Sequence, residues 1–161
     1  MTLKNSFFLV VLFLFLVSCD KKRVFDEYKT VGQNWHKDSI VSFTFEQKDT
    51  LTKQNLFINI RNNKNYPFNN LFLIVEMEHP SKKTLVDTLE YKMAKPDGTL
   101  LGEGLSDTKE NKLFYKENFV FKNSGQYKVT IQQAVRQSGK IEGIEKLDGI
   151  TEVGFRIEKQ E

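Results

Sequence analysis

Cysteine is almost missing from this sequence: Cys19 stands alone in 161 residues, beside three prolines, two histidines and one tryptophan. A chain with a single thiol cannot cross-link itself, so its fold must be held by packing alone even in an oxidising compartment. His36 and His79 lie far apart with no His-x-x-x-His spacing, short of the three converging ligands that a catalytic metal centre needs. No Gly-x-Ser-x-Gly elbow offers a serine nucleophile. Gly98, Gly102 and Gly104 precede no Gly-Lys-Ser/Thr, so they are expected as turn and bulge glycines and not as a phosphate loop. Glu76 and Glu78, two apart, project from one face of a strand and are expected as solvated charges instead of an acid–base pair. Long blocks of one charge sign are absent too: 24 basic and 21 acidic residues interleave to a net +3, which argues against a nucleic-acid surface. The expectation is a protein that is not an enzyme and needs no cofactor or metal.

What the chain does have is an unbroken apolar run from Phe7 to Val17, preceded by Lys4 and followed by Ser18-Cys19. A basic start, an apolar middle and a small-residue cleavage site make a secretory signal peptide. At ~1.5 Å per residue the run spans about 16 Å as a helix, roughly half of a ~30 Å hydrocarbon core, so it is an export signal and not a permanent span. Leu16-Val17-Ser18-Cys19 has the form of a bacterial lipobox, with residues 1–18 removed and lipid joined to the Cys19 thiol. Two or more acyl chains there would anchor the protein stably where one would hold it only marginally. Lys21, Lys22 and Arg23 follow directly and are expected either as part of a soluble tether or as a contact with anionic headgroups.

Residues 19–37 are expected as a lipidated tether and lead-in, with Phe25, Tyr28, Val31 and Trp35 the first large groups able to dock on a core. From Asp38 to the end the pattern is that of one β domain, and fourteen phenylalanines supply its core. Val41, Phe43 and Phe45 alternate with Ser42, Thr44 and Glu46, and Leu56, Ile58 and Ile60 with Asn59 and Arg61, the period of half-buried strands. Asn62-Asn63-Lys64-Asn65 is a turn composition, and Pro67 between Tyr66 and Phe68 places those aromatics at a sheet edge or corner. Leu71 to Val75 is apolar on both faces, as for a strand covered on both sides. Leu89, Tyr91 and Met93 continue the alternation, Asp107 to Lys112 is polar enough for a turn, and Leu113 to Tyr115 and Phe119 to Phe121 resume it. Val153, Phe155 and Ile157 close the chain facing inward, with Arg156 and Glu158 outward.

Gly125-Gln126-Tyr127-Lys128-Val129 carries the most specific local pattern. In immunoglobulin-type domains a Tyr two positions before a core residue bonds back to the backbone upstream and fixes a corner. Tyr127 fits that role, with Val129 where antibody domains place a cysteine. Seven or eight short strands and no long amphipathic helix therefore predict an all-β, immunoglobulin-like antiparallel β-sandwich over 38–161.

Trp35-His36-Lys37-Asp38, Ile60-Arg61-Asn62-Asn63, Tyr66-Pro67-Phe68-Asn69-Asn70-Leu71-Phe72-Leu73, Asp87-Thr88-Leu89-Glu90-Tyr91 and Val153-Gly154-Phe155-Arg156-Ile157, in that order, resemble the gliding-motility lipoprotein GldH family of Bacteroidota. The resemblance covers nearly the whole mature chain and includes the lipobox. It implies a cell-envelope lipoprotein that acts with other gliding proteins and is linked to type IX secretion. Its lipidated cysteine corresponds to Cys19, and it brings no catalytic residues and no assigned small-molecule site. Surface lipoproteins of that phylum resemble one another in an acidic run just after the cysteine, whereas Cys19 is followed by Asp20 and then Lys21-Lys22-Arg23, so the comparison implies a domain that faces the periplasm.

Two functions follow. In the first, the domain is a non-enzymatic assembly module that binds other envelope proteins, with Tyr66 and Phe68 as candidate contacts; the same loop could instead pack on its own core. In the second, it binds carbohydrate through Trp35, Tyr66 and Tyr91, a reading that rests on fold analogy.

Overall fold

The computed structural model describes residues 20–104 and 106–160; the expected signal peptide and Cys19 lie outside them. Among the described residues there are ten strands: β1 Arg23–Thr30, β2 Asn34–His36, β3 Val41–Gln47, β4 Gln54–Asn62, β5 Asn70–Glu78, β6 Thr84–Lys92, β7 Lys109–Phe119, β8 Gly125–Gln133, β9 Lys146–Asp148 and β10 Ile150–Lys159. They form two four-stranded antiparallel sheets, in the orders β1-β10-β4-β7 and β3-β8-β5-β6, and a two-stranded pair β2-β9.

The period-two segments supply the core. Phe43 of β3, Leu56, Ile58 and Ile60 of β4, Val129 and Ile131 of β8 and Phe155 and Ile157 of β10 are all fully buried. Side chains of the two larger sheets meet there: the Phe155 ring centroid lies 6.1 Å from that of Phe43 and 5.9 Å from that of Phe45. Each such residue stabilises the fold by roughly 1.5–3 kcal/mol relative to exposure. Phe25 of β1 closes one open side against Phe45 at 5.2 Å. The other side is tied by polar bonds, with Tyr115 Oη donating to Asp87 Oδ2 at 2.8 Å and Tyr91 Oη donating to the Phe114 carbonyl at 2.7 Å.

The Tyr127 corner forms as the sequence predicts. Its hydroxyl donates to the Asn123 carbonyl at 2.9 Å, its ring stacks on Phe45 at 5.7 Å, and Tyr127 and Val129 are fully buried.

Three expectations need correction. The strands number ten, where seven or eight were expected, because residues 19–37 are more than a tether: β1 pairs with β10 from Arg23 to Thr30, and β2 pairs with β9. β1 shows no clean alternation because, as an edge strand, it places only Phe25 in the core, while Glu27 and Lys29 line the open side. The segment 109–112 is strand and not turn; Asn111 is buried in β7 because its Nδ2 donates to Asn62 Oδ1 of β4 at 2.8 Å. The strand covered on both faces is β4 and not β5. Phe57 and Asn59 on the outward face of β4 are buried, while Phe72 and Ile74 on the outward face of β5 are half-buried. Long side chains from the neighbouring strands cover β4, Arg156 and Lys112 among them.

Candidate functional site

The cover over β4 is the most elaborate chemistry among the described residues. Antiparallel register places Asp26, Arg156 and Phe57 side by side across β1, β10 and β4 on the face turned away from the core, and Tyr28, Gly154 and Asn59 in the next row. Arg156 is the first hub. Nη1 donates to Asp26 Oδ2 at 2.5 Å and Nε to Glu158 Oε1 at 2.6 Å, and Nη2 pairs with Asp20. Lys112 Nζ reaches the same Glu158 oxygen at 2.7 Å and sits 4.2 Å from the Phe57 ring centroid. Phe57 in turn packs on Phe114 at 4.5 Å, and Phe114 remains 50% exposed, the aromatic on this face open to contact.

Arg61 is the second hub. Nε donates to Glu110 Oε2 at 2.7 Å and Nη1 to Glu152 Oε2 at 2.6 Å, and the guanidinium carbon lies 4.3 Å from the Tyr28 ring centroid. Tyr28 Oη donates to Glu110 Oε1 at 2.9 Å and accepts from Asn59 Nδ2 at 2.8 Å. A Cβ at residue 154 would stand 2.9 Å from two carbons of the Tyr28 ring, so Gly154 is what lets that ring lie across the sheet.

The electrostatics follow from these partners. Burial, then the hydrogen bond to Glu110, push the Tyr28 hydroxyl up to about 12. Burial pushes Glu110 up, but bonds from Arg61 and Tyr28 outweigh it and hold the carboxyl below its ordinary value. Glu158 behaves alike: burial is outweighed by Lys112 and Arg156. Glu110 and Glu158 are charged and paired with their cations, and the Tyr28 hydroxyl stays protonated as a donor. None is left as a poised base, and the arrangement rigidifies the face as a paired lattice of three cations and five carboxylates.

The residues nominated from sequence lie elsewhere. Tyr66 is 5% exposed; its hydroxyl donates to the Asn70 carbonyl at 2.6 Å, and burial raises its pKa. Phe68 is half-buried against the core, 6.0 Å from the Tyr66 ring, so within the pair it is Phe68 that presents surface. Trp35 is fully buried and donates from Nε1 to the Ser39 carbonyl at 2.7 Å, which leaves no face for a sugar. His36 faces Glu145 and His79 packs on Tyr127. No group of three or more His, Cys, Asp or Glu residues converges to hold a metal among the described residues. Sequence reasoning missed both arginine hubs. The signal available was the outward position of Arg61 and Arg156 on strands otherwise rich in buried residues.

A sequence of lipobox form ahead of an all-β domain has the make-up of a bacterial envelope lipoprotein. The chain belongs to the GldH lipoprotein family, whose sequence profile matches residues 23–157, from the first strand to the last. It is 62% identical over 161 residues to the gliding motility lipoprotein GldH of Flavobacterium johnsoniae, covering 100% of both chains. It is 54% identical over 161 residues to a GldH homolog of Christiangramia forsetii, covering 98% of this chain and 99% of that one. Among solved structures it is similar to part of a family GH115 4-O-methyl-alpha-glucuronidase at 12% identity and a TM-score of 0.44, covering 89% of this chain and 18% of that one. Likeness at that level carries no activity across.

Proposed function

We propose that the protein is a non-enzymatic, lipid-anchored component of the gliding-motility machinery, acting in its assembly or structure in association with type IX secretion. The observation that carries this is likeness to a gliding motility lipoprotein along the whole chain, N-terminal stretch included. Residues 1–18 are cleaved, Cys19 carries the lipid, and the domain faces the periplasm. The two four-stranded sheets are read as an immunoglobulin-like sandwich, a reading supported by the Tyr127 corner and by Phe43 and Phe45 packing on Phe155. Partner contacts fall on exposed surface, with Phe68 in the 62–70 loop and Phe114 on the charged lattice as the first aromatics to test. Carbohydrate binding loses two of its three aromatics to the core, Trp35 and Tyr66.

In-cell crosslinking of the tagged, lipidated protein followed by mass spectrometry tests the assembly role. Recovery of gliding or type IX secretion components is expected; recovery of glycan-uptake proteins instead would overturn it. Protease added to intact cells should leave the domain uncut, and degradation without lysis would place it on the cell surface.

A further inference from the structure

The end of the sheets where β1 begins gathers five segments: residues 20–22, the β3–β4 loop 48–53, the β5–β6 turn 79–83, the β7–β8 connection 120–124 and the close of β10. Register forces this convergence, since Arg23 lies opposite Glu158, Lys159 opposite Gln54, Gln54 opposite Phe119 and Gln47 opposite Gly125. The first described residues are docked. Asp20 pairs with Arg156, Arg23 N–H donates to the Asp20 carbonyl at 3.2 Å, and Lys159 N–H donates to the Lys22 carbonyl at 2.9 Å. Cys19 is one residue further out, about 3.8 Å between consecutive Cα atoms. Lipid on Cys19 therefore leaves the protein at this end with almost no slack.

The same end is basic. Lys48, Lys53, Lys83, Lys122 and Lys159 are all exposed on it, beside the Lys21 and Arg23 of the N-terminal cluster. Three of its acids are engaged locally, Asp20 with Arg156, Glu78 with Lys82, and Asp49 with the N–H groups of Leu51 and Thr52, while Glu46 and Glu117 stand exposed near the ends of β3 and β7. His79 reports the resulting field, since burial first and then Lys83 and Lys122 lower its pKa. Among these lysines Leu51 stands 87% exposed at the tip of its loop. The opposite end mixes signs, as in Lys37-Asp38 and Glu145-Lys146-Leu147-Asp148.

We propose that this end is a membrane-contact face, which takes anionic lipid headgroups on its lysines and sets Leu51 at the boundary with the acyl region, so that anchor and face together fix how the domain stands on the bilayer. The inference rests on the reading of Cys19 as lipidated. Basic side chains within a Debye length, about 8–10 Å, of an anionic surface are attracted to it, and a second attachment beside the acyl chains prevents free pivoting.

The test uses the full lipidated protein in vesicles, with a nitroxide on Leu51→Cys or on Ile141→Cys, which is also 87% exposed but lies in the opposite-end loop. Cys19 is otherwise the only cysteine, and lipid occupies it, so labelling is specific. With phosphatidylglycerol present, the label at 51 should be several-fold less accessible than the label at 141 to a water-soluble relaxation agent. Combining Lys48→Glu, Lys53→Glu, Lys83→Glu and Lys122→Glu should abolish that difference, as should phosphatidylcholine alone. Equal accessibility on anionic vesicles, or shielding that survives the charge reversal, would overturn the proposal. Intact mass reports the anchor separately. If the mass lacks lipid, the Cys19 reading fails, and co-sedimentation of the unlipidated chain with anionic vesicles, lost in the charge-reversed variant, still decides for or against the face.

Discussion

The two ends of the sheets use their side chains in opposite ways. At the end away from the anchor, aromatic groups and backbone interlock: Trp35 and Tyr66 are buried, β2 pairs with β9, and Asn63 N–H donates to the Gly149 carbonyl at 2.9 Å. At the anchor end, the Tyr127 corner holds the 120–124 connection from inside while the loops present lysines and Leu51 to the surroundings. The first end buries Trp35 and Tyr66 on internal partners and leaves Ile141 exposed in its loop, whereas the second sets exposed lysines of three loops around Leu51. A pair of aromatics in a loop, such as Tyr66 and Phe68, is therefore a weak pointer to an interface when one of the two rings is buried by its own fold.

The sharpest way to break the interlocked end is Gly149→Ala. Gly149 has φ +81°, and a Cβ there would fall 2.2 Å from the Tyr66 amide nitrogen, so strain and a backbone clash coincide. A loss on the order of 3 kcal/mol or more is expected in urea denaturation. A variant as stable as the parent would show that the interlock is loose.

Tyr66→Ala comes next, at roughly 3–5 kcal/mol for an emptied aromatic site, while Tyr66→Phe should cost about 1 kcal/mol through the bond to Asn70. Denaturation midpoints measure both. Unchanged midpoints combined with lost partner capture would return Tyr66 to the role of a contact residue.

Arg156→Ala extends the comparison to the charged lattice, which joins the anchor end to the middle of the first sheet. Asp26, with its side chain 16% exposed, would lose its cation and Glu158, 13% exposed, would keep only Lys112, at a cost of roughly 3 kcal/mol. The pH dependence has a definite sign. The folded pKa of Glu158 lies below its ordinary 4.5, so its contribution is complete above that value and is lost as the pH falls through the depressed one. Denaturation midpoints across pH 3–7, a window about that value, should fall less steeply at the acid end for Arg156→Ala than for the parent. Equal slopes would mean that Arg156 does not set the Glu158 titration.

The difference between what the sequence discloses and what it conceals has a physical origin in range. Strands β3, β4 and β10 are legible because alternation is local, and the Tyr127 corner because its partner is four residues away. The arginine lattice is not, because apart from Glu158, two residues from Arg156, the partners of the two arginines stand 49 to 136 residues away and meet them only through strand order. β1 is hidden for the same reason: Asp26 and Tyr28 look like loop residues until Arg156 and Gly154 lie beneath them. The polar run Lys109–Lys112 reads as a turn until Asn62 accepts from Asn111. Of the candidate site, the basic cluster at Lys21–Arg23 is visible in the chain. The lysines of three other loops that join it are brought there by topology alone.

The smallest expected effect, and the one that separates the two ends most finely, is Tyr127→Phe. The substitution keeps the ring that stacks on Phe45 and deletes only the hydroxyl that donates to Asn123. About 1 kcal/mol of global stability should go, since the bond to the Asn123 carbonyl and the longer one from the Asn123 amide at 3.4 Å are lost and the core stays filled. The local consequence should be larger than the global one. The 120–124 connection carries Lys122, and without the corner its amides should exchange faster while those of the 62–70 loop keep their protection. Hydrogen exchange resolved by segment measures this. Equal acceleration at both ends would show that the anchor end is held by the whole core rather than by its corner.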